Sequence, residues 1–448
     1  MQTSTIKFSQ IEDRIDAEYY KPEYLGITKV LKNRPSLGEF IKIKNGYPFD
    51  STLFGLGNFP VVRIRDFAED GIHFDELETL PSYYVKESGC VFPKLGDILV
   101  GMDGLNEFRA TIITSKKDTE VAINQRVAII TPFDKLSSEF IYIVLNSKVG
   151  QSQLLREMTT AGTVGHISNE VIKSIKVPIP SQSFQQKIEK MVKEAQRKRK
   201  LADEKYKEAE EILNKELGLE NLDLSTQKTF EAKFSEAEDR FDPEYYQPKY
   251  KKIISKLKSQ ESKLLGEIVK IRKGIEVGHE AYTNKGKPFI RVQDYNEKRI
   301  SVSENTNFIR DYLYEELKEN HRPLPGEIIY SKDGTVGRAF VVPSNIYEFI
   351  VSGGILILTP NDIDNYYLAL VLNSPIIRLQ AIRESIGAII QHLSVDEVKK
   401  IKVPILPKST QQKISSLIQE SMGLRTEAKE LIDRAKREVE AMVEGRMG

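Results

Sequence analysis

Short runs of alternating apolar and polar positions recur along the chain, separated by turn-forming residues. Pro60–Arg65, Ala110–Thr114, Val127–Thr131, Ile328–Ser331, Ala339–Val342 and Ile355–Thr359 combine this alternation with β-branched side chains and predict strands. Glu139–Leu145 and Tyr366–Leu372 carry apolar residues at helical spacing and predict short amphipathic helices. Pro178 with Pro180, and Pro404 with Pro407, break regular structure. After each break runs a long, charge-rich stretch with no proline, Gln185–Leu217 and Gln411–Val443.

Both long stretches read as helices with a heptad pattern. Ile188, Met191, Ala195, Ala202, Ala209 and Ile212 fall on a and d positions of the first, and Ile414, Leu417, Ser421, Leu424, Ala428, Leu431, Ala435 and Met442 on those of the second. Adding 226 to every member of the first set but Ile212, whose counterpart is Glu438, lands on the second, so the two share a register. Lys198 and Lys205 interrupt the first seam, so its middle is wetter or shifted by a position. Small alanines at a allow close approach. The expected arrangement is an antiparallel coiled coil, a rod of about 50 Å at ~1.5 Å per residue, and the alternative is two unrelated surface helices.

The chain is written twice. Asp13-Arg14-Ile15-Asp16-Ala17-Glu18-Tyr19-Tyr20 returns as Asp239-Arg240-Phe241-Asp242-Pro243-Glu244-Tyr245-Tyr246, 226 residues on. Leu37-Gly38-Glu39 with Gly46 returns as Leu265-Gly266-Glu267 with Gly274, and Gly96-Asp97-Ile98-Leu99 with Asp103-Gly104 as Gly326-Glu327-Ile328-Ile329 with Asp333-Gly334. Ile175-Lys176-Val177-Pro178-Ile179 and Gln185-Gln186-Lys187-Ile188 return as Ile401-Lys402-Val403-Pro404-Ile405 and Gln411-Gln412-Lys413-Ile414. Collinear matches with offsets drifting by a few residues mean a tandem duplication. A shared scaffold with divergent stretches between suggests one pose and two ligands, or two halves of one ligand.

Composition narrows the class. The 448 residues, with 40% hydrophobic and 29% charged, suit a folded multidomain protein. Lys and Arg number 66 against 65 Asp and Glu, a net charge of +1, which argues against a generally sticky polycation and confines any nucleic-acid surface to a patch. One cysteine, Cys90, excludes disulfides and cysteine zinc sites within the chain. The absence of a long apolar run and of a signal-peptide layout at Met1–Gln10 leads to an expectation of a cytoplasmic protein with no membrane association.

Each copy carries cations close to a glycine or asparagine: Lys42, Lys44, Asn45, Gly46 and Tyr47 with Arg63 and Arg65 in the first; Lys270, Arg272, Lys273 and Gly274 with Arg291, Lys332 and Arg338 in the second. Arg and Lys bond guanine in the major groove, Asn and Gln read adenine, and cations grip phosphate, so these are candidate DNA-binding residues. The plainer reading is a solvated strand edge, where Lys also blocks edge aggregation. His166 and His392 align, with Thr163 and Gln391 nearby, as DNA donors or as caps of the helices starting near Asn169 and Asp396. Ser331–Arg338 is Gly-rich but lacks the phosphate-loop order, so it reads as a turn between strands or a DNA-facing loop. His73, His279 and His321 have no metal spacing. Asp242-Pro243-Glu244-Tyr245 departs from an amino-methyltransferase motif, Glu427-Ala428-Lys429 lies on a heptad helix without partner carboxylates, and no Gly-x-Ser-x-Gly elbow occurs. No enzyme constellation is present.

The Asp-Arg-x-Asp-x-Glu-Tyr-Tyr, Gly-Asp/Glu-Ile-Leu/Ile…Asp-Gly and Ile-Lys-Val-Pro-Ile…Gln-Gln-Lys-Ile strings, each present twice, resemble the specificity subunits of type I restriction–modification systems over essentially the whole chain. The resemblance implies an α+β fold in which two β-rich α/β target recognition domains, at 1–180 and 226–407, are separated by helical spacers at 181–225 and 408–448 packed as an antiparallel coiled coil. It also implies a non-catalytic subunit that reads a bipartite double-stranded DNA target and docks two modification (adenine-methyltransferase) subunits and restriction/translocase subunits. S-adenosylmethionine, ATP and Mg then belong to those partners, and this chain binds no cofactor or metal. The alternative is a specificity or scaffold module of another DNA-defence or fused restriction–modification assembly.

Overall fold

The computed structural model describes residues 11, 14–68, 71–104, 107–161, 164–220, 222–233, 240–302, 306–387 and 390–445. Contacts divide the chain into two compact units, Met1–Arg199 with Arg425–Gly448, and Lys200–Leu424.

The first unit runs α1 (Pro22–Leu31), β1 (Ile41–Asn45), β2 (Phe59–Val62), β3 (Ile98–Gly101), β4 (Asp103–Gly104), β5 (Ala110–Ile112), β6 (Ala122–Ile123), β7 (Val127–Pro132), α2 (Ser138–Asn146), α3 (Lys148–Glu157), β8 (Thr159–Ala161), β9 (Val164–His166) and α4 (Asn169–Ser174). It also holds the first half of α5 (Gln182–Leu217). Its main sheet is antiparallel, in the order β1-β7-β3-β5. Strand alternation sorts the side chains. Ile98, Val100, Ala128 and Ile130 join Phe140, Ile143, Leu154 and Ile188 in one core, while Leu99, Val127 and Ile129 face Val62, Phe67 and Ile123 in another. Ser137 caps α2 by accepting from the Phe140 N–H at 3.2 Å.

The second unit repeats this with α6 (Pro248–Lys258), β10 (Val269–Lys273), β11 (Lys287–Ile290), β12 (Ile328–Ser331), β13 (Ala339–Val341), β14 (Ile350–Val351), β15 (Ile355–Pro360), α7 (Asn365–Asn373), α8 (Pro375–Glu384) and α9 (Val395–Lys400). It includes the first part of α10 (Lys408–Val443), and its main sheet has the matching order β10-β15-β12-β13. In both units a short parallel pair lies outside this sheet, Val62 opposite Ile123 and Ile290 opposite Val351.

One predicted strand is cut short. The run from Pro60 leaves extended structure after Val62, because the Asp66 carboxylate accepts the Arg63 N–H at 2.7 Å and closes a single helical turn over Ile64–Asp66. Asp294 does the same to Arg291, at 2.8 Å. Burial pushes both carboxyls above the usual carboxylate range even though these N–H groups favour the anion.

Most of the duplicated strings build the fold. Gly96 and Gly326 take left-handed backbone angles, φ +86° and +87°, that set up the turn into β3 and β12. The acid that follows is buried: Asp97 accepts from the Lys94 N–H and the Thr131 hydroxyl, and Glu327 from the Leu324 N–H and the Thr359 hydroxyl, all within 2.6–2.8 Å. Arg14 donates to the carbonyls of Arg156 and Met158, where α3 ends and its last carbonyls lack helical partners. Arg240 does the same for Arg383 and Ser385 at the end of α8. Tyr19 is stacked by Arg14 and Arg156, at 4.9 and 3.9 Å, and Tyr245 by Arg240 and Arg383, at 4.6 and 3.8 Å.

The two long helices begin three residues earlier than their polar flanks suggest and pack together in both units. In the first unit Lys187 pairs with Glu438 at 2.8 Å and Lys198 pairs with Glu427, so advancing along α5 means retreating along α10: the packing is antiparallel. In the second, Lys205 pairs with Glu420 at 3.2 Å and the Ser421 hydroxyl donates to the Ala202 carbonyl at 2.7 Å. The a positions Ile188, Ala195, Ala202, Ala209, Ile414, Ser421, Ala428 and Ala435 are buried. The second row is not d but e, with Val192, Tyr206, Leu213, Ile418, Ile432 and Val439. Met191 and Leu417 are buried as well, whereas Ile212, Leu424, Leu431 and Met442 are half-buried at the margin. Small residues at a and lysines at two d positions favour this rotation, which leaves Lys198 and Lys205 beside the seam, against glutamates.

Candidate nucleic-acid interface

The cation clusters of the two copies occupy matching places. β1 and β10 are edge strands, and Lys42, Lys44 and Asn45 on the first and Lys270 and Lys273 on the second are exposed. This agrees with charge guarding a sheet edge and also leaves these side chains reachable. Lys42 approaches the Phe133 ring at 5.9 Å, and Tyr47 is half-buried against Phe49.

Several predicted arginines instead hold the domains together. Arg63 is largely buried, pairs with Glu78 and stacks on Phe54 at 4.7 Å. Arg272 pairs with Glu327 at 2.5 Å and donates to the Asn320 carbonyl at 2.9 Å. Arg338 donates to the Tyr295 carbonyl at 2.7 Å and faces Glu297 at 3.7 Å. Arg291 faces Asp294 at 3.5 Å. Arg65 also pairs with Glu78 but remains exposed. Guanidiniums with protein acceptors are poorly placed to meet DNA, and, apart from Asp294 three residues after Arg291, the sequence could not show this because the partners lie in other elements.

The histidines come together with acids that sequence reading did not pair with them. His166 on β9 meets Asp103 on β4 through Nδ1 at 2.7 Å, and His392 meets Asp333 at 3.0 Å. The histidine side chains are 35% and 57% exposed, so both stay accessible. Neither caps a helix: Ser168 and Ser394 do, accepting from the N–H of Val171 and of Glu397. A cation completes each pair, Arg126 with 3.7 Å to Asp103, and Lys332 with 2.5 Å to Asp333. The duplicated Asp-Gly and His were each visible as repeats, and their juxtaposition was not. Arg126 carried no signal, because the second copy has glycine there. Gln391 lies beside His392, with its carbonyl accepting from Gly334 at 2.9 Å, and Ser331–Arg338 forms the turn from β12 to β13. Thr163 lies outside the described residues.

A family model for the type I restriction modification DNA specificity domain matches residues 33–211 and again 258–432. The chain belongs to this family. Each match covers one repeat, as the internal duplication requires. The chain is similar to the specificity subunit of the type I restriction enzyme MjaIX of Methanocaldococcus jannaschii, 25% identical over 378 residues, 81% of this chain and 80% of that one. Among solved structures it is similar to the S subunit of a type I restriction–modification system from M. genitalium, at 16% identity and a TM-score of 0.36, covering 92% of this chain and 94% of that one. The HsdS subunit from Thermoanaerobacter tengcongensis follows at 14% and 0.28, covering 91% and 94%.

This specificity subunit is a DNA-recognition component, and catalysis in a type I system lies in the modification and restriction subunits. The family assembles with those subunits on DNA and binds no cofactor of its own. Among the described residues no group of three or more His, Cys, Asp or Glu is placed to hold a metal ion, and no helix is long and apolar enough to cross a membrane.

Proposed function

We propose that this subunit reads a bipartite DNA target, one half-site per repeat, with recognition domains at 1–180 and 226–407, and that the helical spacers at 181–225 and 408–448 set the gap between the half-sites. The observation that carries this reading is the repetition, on two matching frameworks, of exposed edge-strand lysines and of an accessible Asp–His pair. Exposed lysines supply backbone contacts that fix register, and a few side chains supply base identity. A tandem repeat offers the same docking surface twice, which fits two modification subunits, with restriction subunits joining them. A net charge of +1 leaves much of the electrostatic attraction to these partners, so the isolated chain binds DNA weakly and salt-sensitively.

The test is a methylome of cells with and without the gene at single-base resolution. Loss of adenine methylation at one split motif with a fixed gap is expected, and swapping residues 25–174 for those of another specificity subunit changes one half of that motif. An unchanged methylome in cells that express the modification subunit refutes the reading.

A further inference from the structure

Resting on this reading, we infer a division of labour around each Asp–His pair: the pair anchors the DNA backbone at both half-sites, while the adjoining turn selects the bases, through Gln125 and Arg126 in the first repeat and Glu276 in the second.

The turns between β6 and β7 and between β14 and β15 have equal length and the same backbone bonds. The Tyr47 N–H donates to Ile123 and the Met102 N–H to Arg126 in the first; the Ile275 N–H donates to Val351 and the Lys332 N–H to Gly354 in the second. Gly46 and Gly274 lie so close beneath that a Cβ would sit 2.2 Å from the Asn124 carbonyl oxygen or 2.0 Å from that of Ser352. The Asp–His pair is tied to the same place, since the residue after each histidine donates to Met102 or Lys332. The two sites therefore superpose residue by residue in their bonding.

Their side chains differ. The first turn reads Asn124-Gln125-Arg126, with Gln125 and Arg126 exposed, and the second Ser352-Gly353-Gly354. At Gly353 the space for a side chain is taken by Glu276, whose carboxylate lies 2.6 Å from the position a Cβ would occupy; the residue matching Glu276 in the first repeat is Pro48. One repeat thus presents an amide and a guanidinium, and the other a carboxylate. Gln suits adenine, Arg suits guanine, and a carboxylate accepts from the cytosine amino group.

What is shared meets what is the same in every half-site, and what differs meets what differs. The sugar–phosphate backbone is common to any sequence, which assigns it to the duplicated pair. The carboxylate at Nδ1 holds the histidine in one orientation, leaving Nε2 to donate to a phosphate when the ring is protonated. Lys332 offsets the Asp333 carboxylate in the second repeat, whereas in the first Arg126, 3.7 Å from Asp103, belongs to the selecting turn.

The test uses the whole complex with its modification subunits, in cells for the methylated motif and purified for binding to duplexes altered in one half-site. The double variant Gln125→Ala/Arg126→Ala should relax the first half-site only, lowering discrimination by about 5- to 150-fold per lost base contact, with the second half-site as internal control. Glu276→Gln should relax the second half-site only. His166→Gln should leave the motif unchanged, weaken binding to all sequences alike and reduce the slope of log affinity against log salt by about 0.9. If the wild-type complex defines a split motif but both turn variants leave it intact, the inference fails while the proposed function stands; if the wild-type complex defines none, the proposed function itself fails. If the double variant abolishes methylation, Arg126→Lys decides: restored methylation with an altered first half-site supports selection by the turn, and continued loss overturns it. A motif changed by His166→Gln overturns the anchoring role.

Discussion

Replacing the buried acid after the repeated glycine should cost unequal amounts in the two units, although the motif is the same. Asp97 and Glu327 are 3% and 6% exposed and accept equivalent bonds from a backbone N–H and a threonine hydroxyl. Glu327 additionally takes the Arg272 guanidinium at 2.5 Å. Both variants lose two bonds from neutral donors to a carboxylate, about 1.5–3 kcal/mol each before any relaxation, and this loss is common to the two. The bond to the charged guanidinium adds about 1.5–3 kcal/mol for Glu327→Ala, and because Arg272 is 30% exposed in the side chain, water recovers part of it and the lower half of that range applies. The expected difference between the variants is about 1.5–2 kcal/mol, a factor of about 10–30 in an opening equilibrium. A chain of two units is poorly described by one melting transition, so native-state hydrogen exchange is the suitable assay, read at Ile328–Ser331 and at Ile98–Gly101. Protection factors should fall further at Ile328–Ser331 in Glu327→Ala than at Ile98–Gly101 in Asp97→Ala. Equal losses, or a larger loss for Asp97→Ala, would refute the assignment of the extra stability to the Arg272 bond.

Three other outcomes follow from the packing and the ionisation. Gly274→Ala forces a Cβ towards the Ser352 carbonyl, and because backbone cannot swing aside like a side chain, a destabilisation of about 1–3 kcal/mol is expected, visible as lowered exchange protection of β10 and β15 with the first unit unaffected. Ala209→Leu overfills the helix seam in the second unit, where Ala209 is fully buried against α10; a loss of about 1–3 kcal/mol should appear as reduced protection of the α10 amides, and an unchanged α10 would speak against the close approach. Asp294→Asn keeps an acceptor for the Arg291 N–H and removes a carboxylate whose burial raises its folded-state pKa. Ionisation of that group opposes folding, so the variant should be the more stable near neutral pH. Its advantage should shrink as pH falls through the raised pKa towards the unfolded value of 3.8, which urea titrations at several pH values would resolve.

The sequence by itself determined the duplication, the strand runs of the main sheets, the two long helices and the small-residue a positions that let them pack. These features are local: they depend on spacing along the chain, on prolines that stop elements and on glycines that turn them, and a repeat reveals each of them twice. Family membership followed for the same reason, since Gly96 with Asp97, Arg14 with Tyr19 and their counterparts build the framework and leave short, recognisable strings. Only the tertiary structure decided the fate of individual charges. Lys42 and Arg272 look alike as cations in a strand, yet the first points outwards and the second meets Glu327, 55 residues further on. The d-position lysines turned the helix seam by one residue because a charge beside a glutamate is cheaper than a charge in the seam. The Asp–His pairs join residues 63 and 59 positions apart, and that Arg126 lies beside one of them is visible only in space. Long-range electrostatics and close backbone approach depend on distances through space, and a linear pattern does not encode them.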